Sequence, residues 1–186
     1  MARLEPNLSP CRRSPGWLRL GTRLANYLRV SDKPRHRQRR RSASHALATI
    51  RGFEGEGSEA RAFGYLRCIH PNAFEELVLH AFEQAGLAVW RNSRYSGDGG
   101  VDGLVHYPGL GWLPIQSKRF TGHIRAQDVA EFSRLLGSRW RHGLFVHVGR
   151  TGKVVWGRAA LERVHVVSGT RLLRLLKFHE VPTLGT

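Results

Sequence analysis

Cysteine is almost missing from this chain. The two present, Cys11 and Cys68, lie far apart and lack metal-ligand spacing, which excludes a disulfide framework and a zinc site. No apolar run approaches the roughly 20 residues that a membrane span needs. No apolar secretory core follows the start. A soluble, cytoplasmic protein without a membrane partner is therefore expected. Internal repeats are absent, as are Walker and dinucleotide glycine motifs, which removes solenoids and the common phosphate-cradling loops. Acid is the last shortage: 14 Asp or Glu stand against 30 Lys or Arg, a formal charge of +16 with a pI near 11.4.

The surplus of base is spread over the whole chain. Residues 1–65 hold 14 Lys or Arg against 5 Asp or Glu, and residues 66–186 hold 16 against 9. Such a balance favours a polyanionic partner, because each cation near a phosphate releases condensed counterions. Good solubility, or a GC-rich genome that encodes arginine readily, is the plainer reading. Residues 1–65 look poorly foldable: Pro10, Pro15 and Pro34 interrupt them, and the run Arg35-His36-Arg37-Gln38-Arg39-Arg40-Arg41 repels itself. One amphipathic stretch is available at Trp17–Val30. A solvated tail, a start codon set too early, a DNA-binding arm and a transit peptide all fit this segment. Gly52 to Gly57 reads as a linker.

From about residue 70 the pattern becomes regular. Pro71 and Asn72 start a helix that runs to about Gln84, with Phe74, Leu77, Val78, Ala81 and Phe82 as its apolar stripe. Gly86 is placed to end it. Leu87–Trp90 reads as a short strand, and residues 91–100 as a polar loop. Val101–Tyr107 and Trp112–Lys118 read as strands joined by the turn residues Pro108-Gly109-Leu110-Gly111. A helix is expected over Ala126–Ser138, a buried strand over Gly143–Val148 and a helix over Val154–Leu161. A strand at Arg163–Val167 and a helix at Thr170–Leu176 complete the order. Alternating elements of this kind imply an α/β or α+β sheet with helices on both faces.

The chemistry concentrates in Gly97-Asp98-Gly99-Gly100-Val101-Asp102-Gly103 and Gln116-Ser117-Lys118-Arg119. If the two strands pair through the Pro108–Gly111 turn, Asp102 and the 116–118 segment meet at one end of the hairpin. Gln116 and Lys118 then share a face, because strand side chains repeat every two residues. Cutting a phosphodiester needs a hard cation, oxygen ligands to hold it and a positive charge beside the nucleophile. Asp102 suits Mg²⁺, which prefers oxygen. The Gln116 amide oxygen and the Ser117 carbonyl can add ligands, and Lys118 can orient the water. Each residue alone has an ordinary alternative: a turn aspartate, a backbone-satisfying glutamine, a solvated lysine.

Together, Phe74-Glu75, the glycine-flanked Asp102 and Gln116-Ser117-Lys118-Arg119 resemble the Mrr-type restriction endonuclease domain of the PD-(D/E)xK nuclease superfamily. The resemblance spans roughly residues 70–178 and includes Gly143-Leu-Phe-Val. It implies a restriction-endonuclease-like mixed sheet flanked by helices, a nuclease domain over residues 66–180 and a flexible basic segment over residues 1–65. It implies Glu75, Asp102, Gln116 and Lys118 as the catalytic set, with the first three on Mg²⁺ and Mn²⁺ able to substitute. Glu76 competes with Glu75, but it shares a side with His80 and Glu83 and looks solvent-facing. Asp98 reads as a turn cap or a supporting carboxylate. The loop His147-Val148-Gly149-Arg150-Thr151-Gly152 departs from the family's usual Thr-Thr-like segment. His106, His123 and His147 read as structural or solvent-exposed. Arg94, Arg119, Arg125, Arg150 and Lys153 are the expected contacts to DNA backbone.

The function implied is metal-dependent cleavage of DNA, in restriction of foreign or modified DNA. A noncatalytic nucleic-acid-binding module on a nuclease fold, and a structure-specific repair or junction nuclease, are the alternatives. Homodimerisation, or a partner subunit that supplies recognition, is left open.

Overall fold

The computed structural model of the chain describes residues 34–92 and 100–184. The expectations for Trp17–Val30, Arg94 and Gly97 to Gly99 fall outside these residues. Among the described residues six helices surround one sheet: α1 (Pro34–Arg51), α2 (Ser58–Cys68), α3 (Pro71–Gln84), β1 (Val89–Arg91), β2 (Gly103–Tyr107), β3 (Gly111–Lys118), α4 (Ala126–Leu136), β4 (Gly143–His147), α5 (Lys153–Leu161), β5 (Val164–Val167) and α6 (Gly169–Phe178). The sheet runs β1-β2-β3-β4-β5. β1, β2 and β3 pair antiparallel, whereas β3, β4 and β5 pair parallel. The mixed α/β sheet is therefore as expected. Among the described residues no helix is long and apolar enough to cross a membrane.

Each face of the sheet buries its own apolar layer. On one, Val105, Leu113, Ile115, Leu144 and Val146 meet Phe74, Leu77 and Phe82 of α3, with α1 and α6 behind. On the other, Phe145, Val164 and Val166 meet Val129 and Phe132 of α4 and Val155 of α5. Burial on both sides explains the nearly continuous apolar run of β4, all five of whose residues are buried.

Two expectations need correction. Residues 34–65 were expected to be part of a flexible tail, yet they form α1, of 18 residues, and most of α2. Behind the arginines of α1 runs a stripe at helical spacing, Ala43, Ala46, Leu47 and Ile50, all buried. Two of its arginines also have partners. Arg40 pairs with Glu83 at 2.9 Å, and Arg51 donates to the Leu176 carbonyl at 2.9 Å and to Gln84 at 2.7 Å. Gly52–Gly57 accordingly connects two packed helices, with the Arg61 guanidinium donating to the Glu54 and Glu56 carbonyls.

Glu76 is the second correction. It is 1% exposed rather than solvent-facing. Arg91 reaches inward from β1, with its Nε 2.6 Å from Glu76 and its terminal nitrogens on Glu83 at 2.9 and 3.1 Å. His80 joins the cluster, between Ser44 of α1 and Glu83. Burial alone would raise the Glu83 carboxyl. Hydrogen bonds from His80 and Arg91, with the charges of Arg91 and Arg40, outweigh it and hold Glu83 at about 2 instead of 4.5.

A buried ion pair is fragile to loss of one partner, because the other charge then has neither water nor counter-ion. Arg91→Met should destabilise the fold by about 3–5 kcal/mol, read as a lowered thermal midpoint. Combining it with Glu76→Gln should recover part of that loss; an unchanged midpoint in the single variant would refute the pairing. The Glu83 contribution follows from its depressed value: present above about pH 4.5, it drains away as pH falls towards about 2. Glu83→Gln should flatten that acid limb in urea unfolding measured across the same range.

Candidate active site

The end of β3 and the approach to β2 form the site. Asp102 stands one residue ahead of β2, not within it. Its N–H donates to the Ile115 carbonyl at 2.8 Å and its own carbonyl accepts from Asn92 at 3.3 Å, so its backbone is fixed between β1 and β3. The next residue must be small. A Cβ on Gly103 would come within 2.5 Å of the Trp90 carbonyl and 3.1 Å of Leu79 of α3. Oδ2 of Asp102 accepts the Ser117 N–H at 2.5 Å. The hairpin thus welds the aspartate to the Gln116–Lys118 segment, as the turn spacing predicts.

Glu75 lies on α3, half-buried. Burial raises its carboxyl; the charges of Lys118, Arg39 and His70 pull it back part of the way. Burial also raises Asp102, and the negative charge of Glu75 raises it further. The Ser117 hydrogen bonds and Lys118 oppose this only partly, leaving Asp102 at about 7 instead of 3.8. Glu75, Asp102 and Lys118 therefore sit within one another's fields. Two acids share a poorly hydrated space, with one lysine at its rim.

Gln116 is attached to the same loop. Its Nε2 donates to the Gly100 carbonyl at 2.8 Å, which directs the amide oxygen away from that bond. Gly100 has φ +91°, and a Cβ there would fall 2.4 Å from Gln116 Nε2, so glycine is required. Beside these residues a cleft of about 510 Å³ opens between β3 and α4, lined by Lys118, Phe120, Asp128 and Glu131 among others. Asp128 faces Lys118 across it but is engaged at the start of α4, accepting from the Arg125 N–H at 2.8 Å and its guanidinium at 3.0 Å.

His147 adjoins Lys118 in the parallel register and is fully buried, structural rather than solvent-exposed. Burial lowers its pKa to about 4. Thr151 Oγ1 bridges it to Ser168 at 3.0 Å on each side. The loop that departs from the family pattern thus uses its threonine to hold this imidazole.

Of the expected backbone contacts, Arg125 and Arg150 lie on neighbouring segments, joined by the Ile124 N–H to the Arg150 carbonyl at 3.1 Å. Arg119 is half-buried and donates to the Arg67 carbonyl at the end of α2. Arg125, Arg150 and Lys153 are exposed. Sequence reasoning missed Arg39, whose charge reaches Glu75 from α1. A stripe of small apolar residues behind the basic run was the signal for it.

Among the described residues no group of three His, Cys, Asp or Glu surrounds one point. The site residues expected from the sequence would instead offer two carboxylates, an amide oxygen and the Ser117 carbonyl. An all-oxygen set with two partly desolvated carboxyls would suit a hard divalent cation. The convergence itself has a readout. In metal-free protein, Glu75→Gln removes a neighbouring negative charge, so Asp102 should titrate below its present value of about 7. Carboxyl NMR measures this; an unmoved titration would place the two acids apart.

Residues 66–176 match a family model described as restriction endonuclease, the Mrr catalytic type. None of the curated proteins matches the chain. The matched span contains Glu75, Asp102, Gln116 and Lys118, and α1 lies outside it. Restriction endonuclease domains of this family generally use a divalent metal. With more than half of its length under that one model, the chain belongs to the Mrr-type restriction endonuclease family.

Proposed function

We propose that this protein is a Mg²⁺-dependent endodeoxyribonuclease that hydrolyses DNA phosphodiester bonds, in restriction of foreign or modified DNA. The observation that carries the reading is the mutual influence of Glu75, Asp102 and Lys118 at the end of β3. Glu75, Asp102, the Gln116 amide oxygen and the Ser117 carbonyl would hold the cation, and Mn²⁺ offers the same charge to the same oxygens. When bound, that cation supplies Lewis-acid polarisation of the phosphate and a more acidic water.

The remaining work falls to the chain. Lys118, exposed at the strand end, donates N–H to the attacking water or to a phosphate oxygen and steadies the negative charge that grows there. Water adds to phosphorus, one P–O bond breaks, and the departing oxygen takes a proton. The Ser117 N–H orients the Asp102 carboxylate. Gly100 and the Gln116 amide keep the loop before Asp102 close to β3. Arg94, Arg125, Arg150 and Lys153 are proposed contacts to backbone phosphates, which give affinity without sequence information. Arg119, proposed with them from the sequence, would have to leave the Arg67 carbonyl to join. Specificity would then come from a second copy or a partner recognition subunit.

Purified protein should nick or cut DNA with Mg²⁺ or Mn²⁺ and stop with EDTA. Asp102→Ala and Lys118→Ala should each lower the rate on the order of 100-fold or more, while salt-sensitive DNA binding persists. Normal cleavage by both variants would sink the assignment. Methylated, unmethylated and branched duplexes digested side by side would separate restriction from junction repair.

A further inference from the structure

The basic run of α1 is not used by the reaction site, and α1 precedes the matched span. Its docking is nonetheless firm: Ala43, Ala46, Leu47 and Ile50 are buried, and Arg40 and Ser44 reach Glu83 and His80 of α3. That docking sets Arg39 beside the reacting end of α3, where its charge pulls on the Glu75 carboxyl. Between the two helices opens a cleft of about 250 Å³, lined by Arg39, Ser42, His70, Asn72 and Ala73. Glu75 follows Asn72 by one helical turn on α3. Arg37 and Arg41, one turn apart on α1, are exposed.

The lining of this cleft has a definite chemistry. Among the described residues it offers a guanidinium, an imidazole, a carboxamide and no carboxylate, with the Ser42 hydroxyl donating to the Gln38 carbonyl at 3.1 Å. The cleft beside Lys118 differs, with Asp128 and Glu131 in its wall. Donors of this kind suit an anionic oxygen rather than a cation or an apolar group. Arginine is the side chain best shaped to take a phosphate. A strand whose scissile phosphate lies at Glu75 and Asp102 must continue past that point, and the α1–α3 cleft adjoins Glu75.

We propose that the cleft between α1 and α3 is a phosphate subsite, in which Arg39, with His70 and Asn72, holds a backbone phosphate of the DNA strand next to the one cleaved. This rests on the nuclease reading above. α1 is then a backbone clamp added ahead of the catalytic domain. It contributes affinity and strand register without reading bases.

The test uses the full chain and a short DNA duplex in EDTA, with binding measured over a series of salt concentrations. Each phosphate contact contributes about one unit to the slope of log affinity against log salt. Arg39→Gln should reduce the slope by about one and weaken binding several-fold at fixed salt. Arg39 is half-buried, so Ser42→Glu, at an exposed position in the same lining, serves as a second probe and should weaken binding likewise. Thermal melting reports whether each variant is folded. Folded variants with the wild-type slope and affinity would overturn the subsite, leaving the α1 charges as solvated surface. Lys118→Ala, assayed for cleavage with Mg²⁺ in parallel, separates the two ideas. If that variant still cuts, the nuclease reading falls. If it is inert while both α1 variants bind as wild type, only the subsite falls.

Discussion

Two half-buried carboxyls, close enough that the charge of Glu75 raises Asp102, are the constraint to which the rest of this site answers. Glu75 arrives on α3 and Asp102 on the approach to β2, from opposite sides of Arg91 in the sequence. Both are raised by burial, and Asp102 is raised again by its neighbour. Nothing in the sheet itself neutralises them fully. Ser117 gives one backbone hydrogen bond, and Lys118 gives a charge at the exposed rim. Anions in this state favour whatever positive charge can enter, and their oxygen chemistry selects a hard one.

The adjacent glutamates of α3 show how finely this is set. Glu76 and Glu75 are consecutive, yet they meet opposite conditions. Glu76 is sealed against Arg91 and has no vacancy for a ligand. Among the described residues, Glu75 takes distributed charge from Lys118, Arg39 and His70. A helix turns about 100° per residue, so one step moves a carboxylate from the structural cluster to the proposed site. The cluster in turn fixes the helix: Arg91 ties α3 to β1, and Glu83 extends the tie to Arg40 of α1. Rotation of α3 would have to break these bonds before it could displace Glu75.

The catalytic domain was largely legible in the sequence because its signals are local. Alternation and the Pro108–Gly111 turn mark the hairpin, and the turn length sets the register that joins Asp102 to Ser117. The stripe from Phe74 to Phe82 marks α3. What escaped depended on distant partners. The charge of residues 35–41 masked α1, since the partner of Arg40, Glu83, lies 43 residues away. Glu76 read as solvent-facing because its counter-ion lies on another element. The Arg67 carbonyl that Arg119 meets likewise left no mark in the sequence. Pairings across the fold leave no periodicity to read.

The direction of strand pairing changes at β3, antiparallel on one side and parallel on the other. The proposed site residues Asp102, Gln116 and Lys118 lie towards one pole of the β2–β3 hairpin, where Gly103 faces Ile115. The opposite pole, where Tyr107 faces Gly111, is about 13 Å distant at the usual rise per strand residue. There the turn carries Gly109 and Gly111 with open space around both. Chain inserted at that turn would leave the chemistry undisturbed, which makes it a natural port for grafting a module that reads sequence onto a domain built to cut.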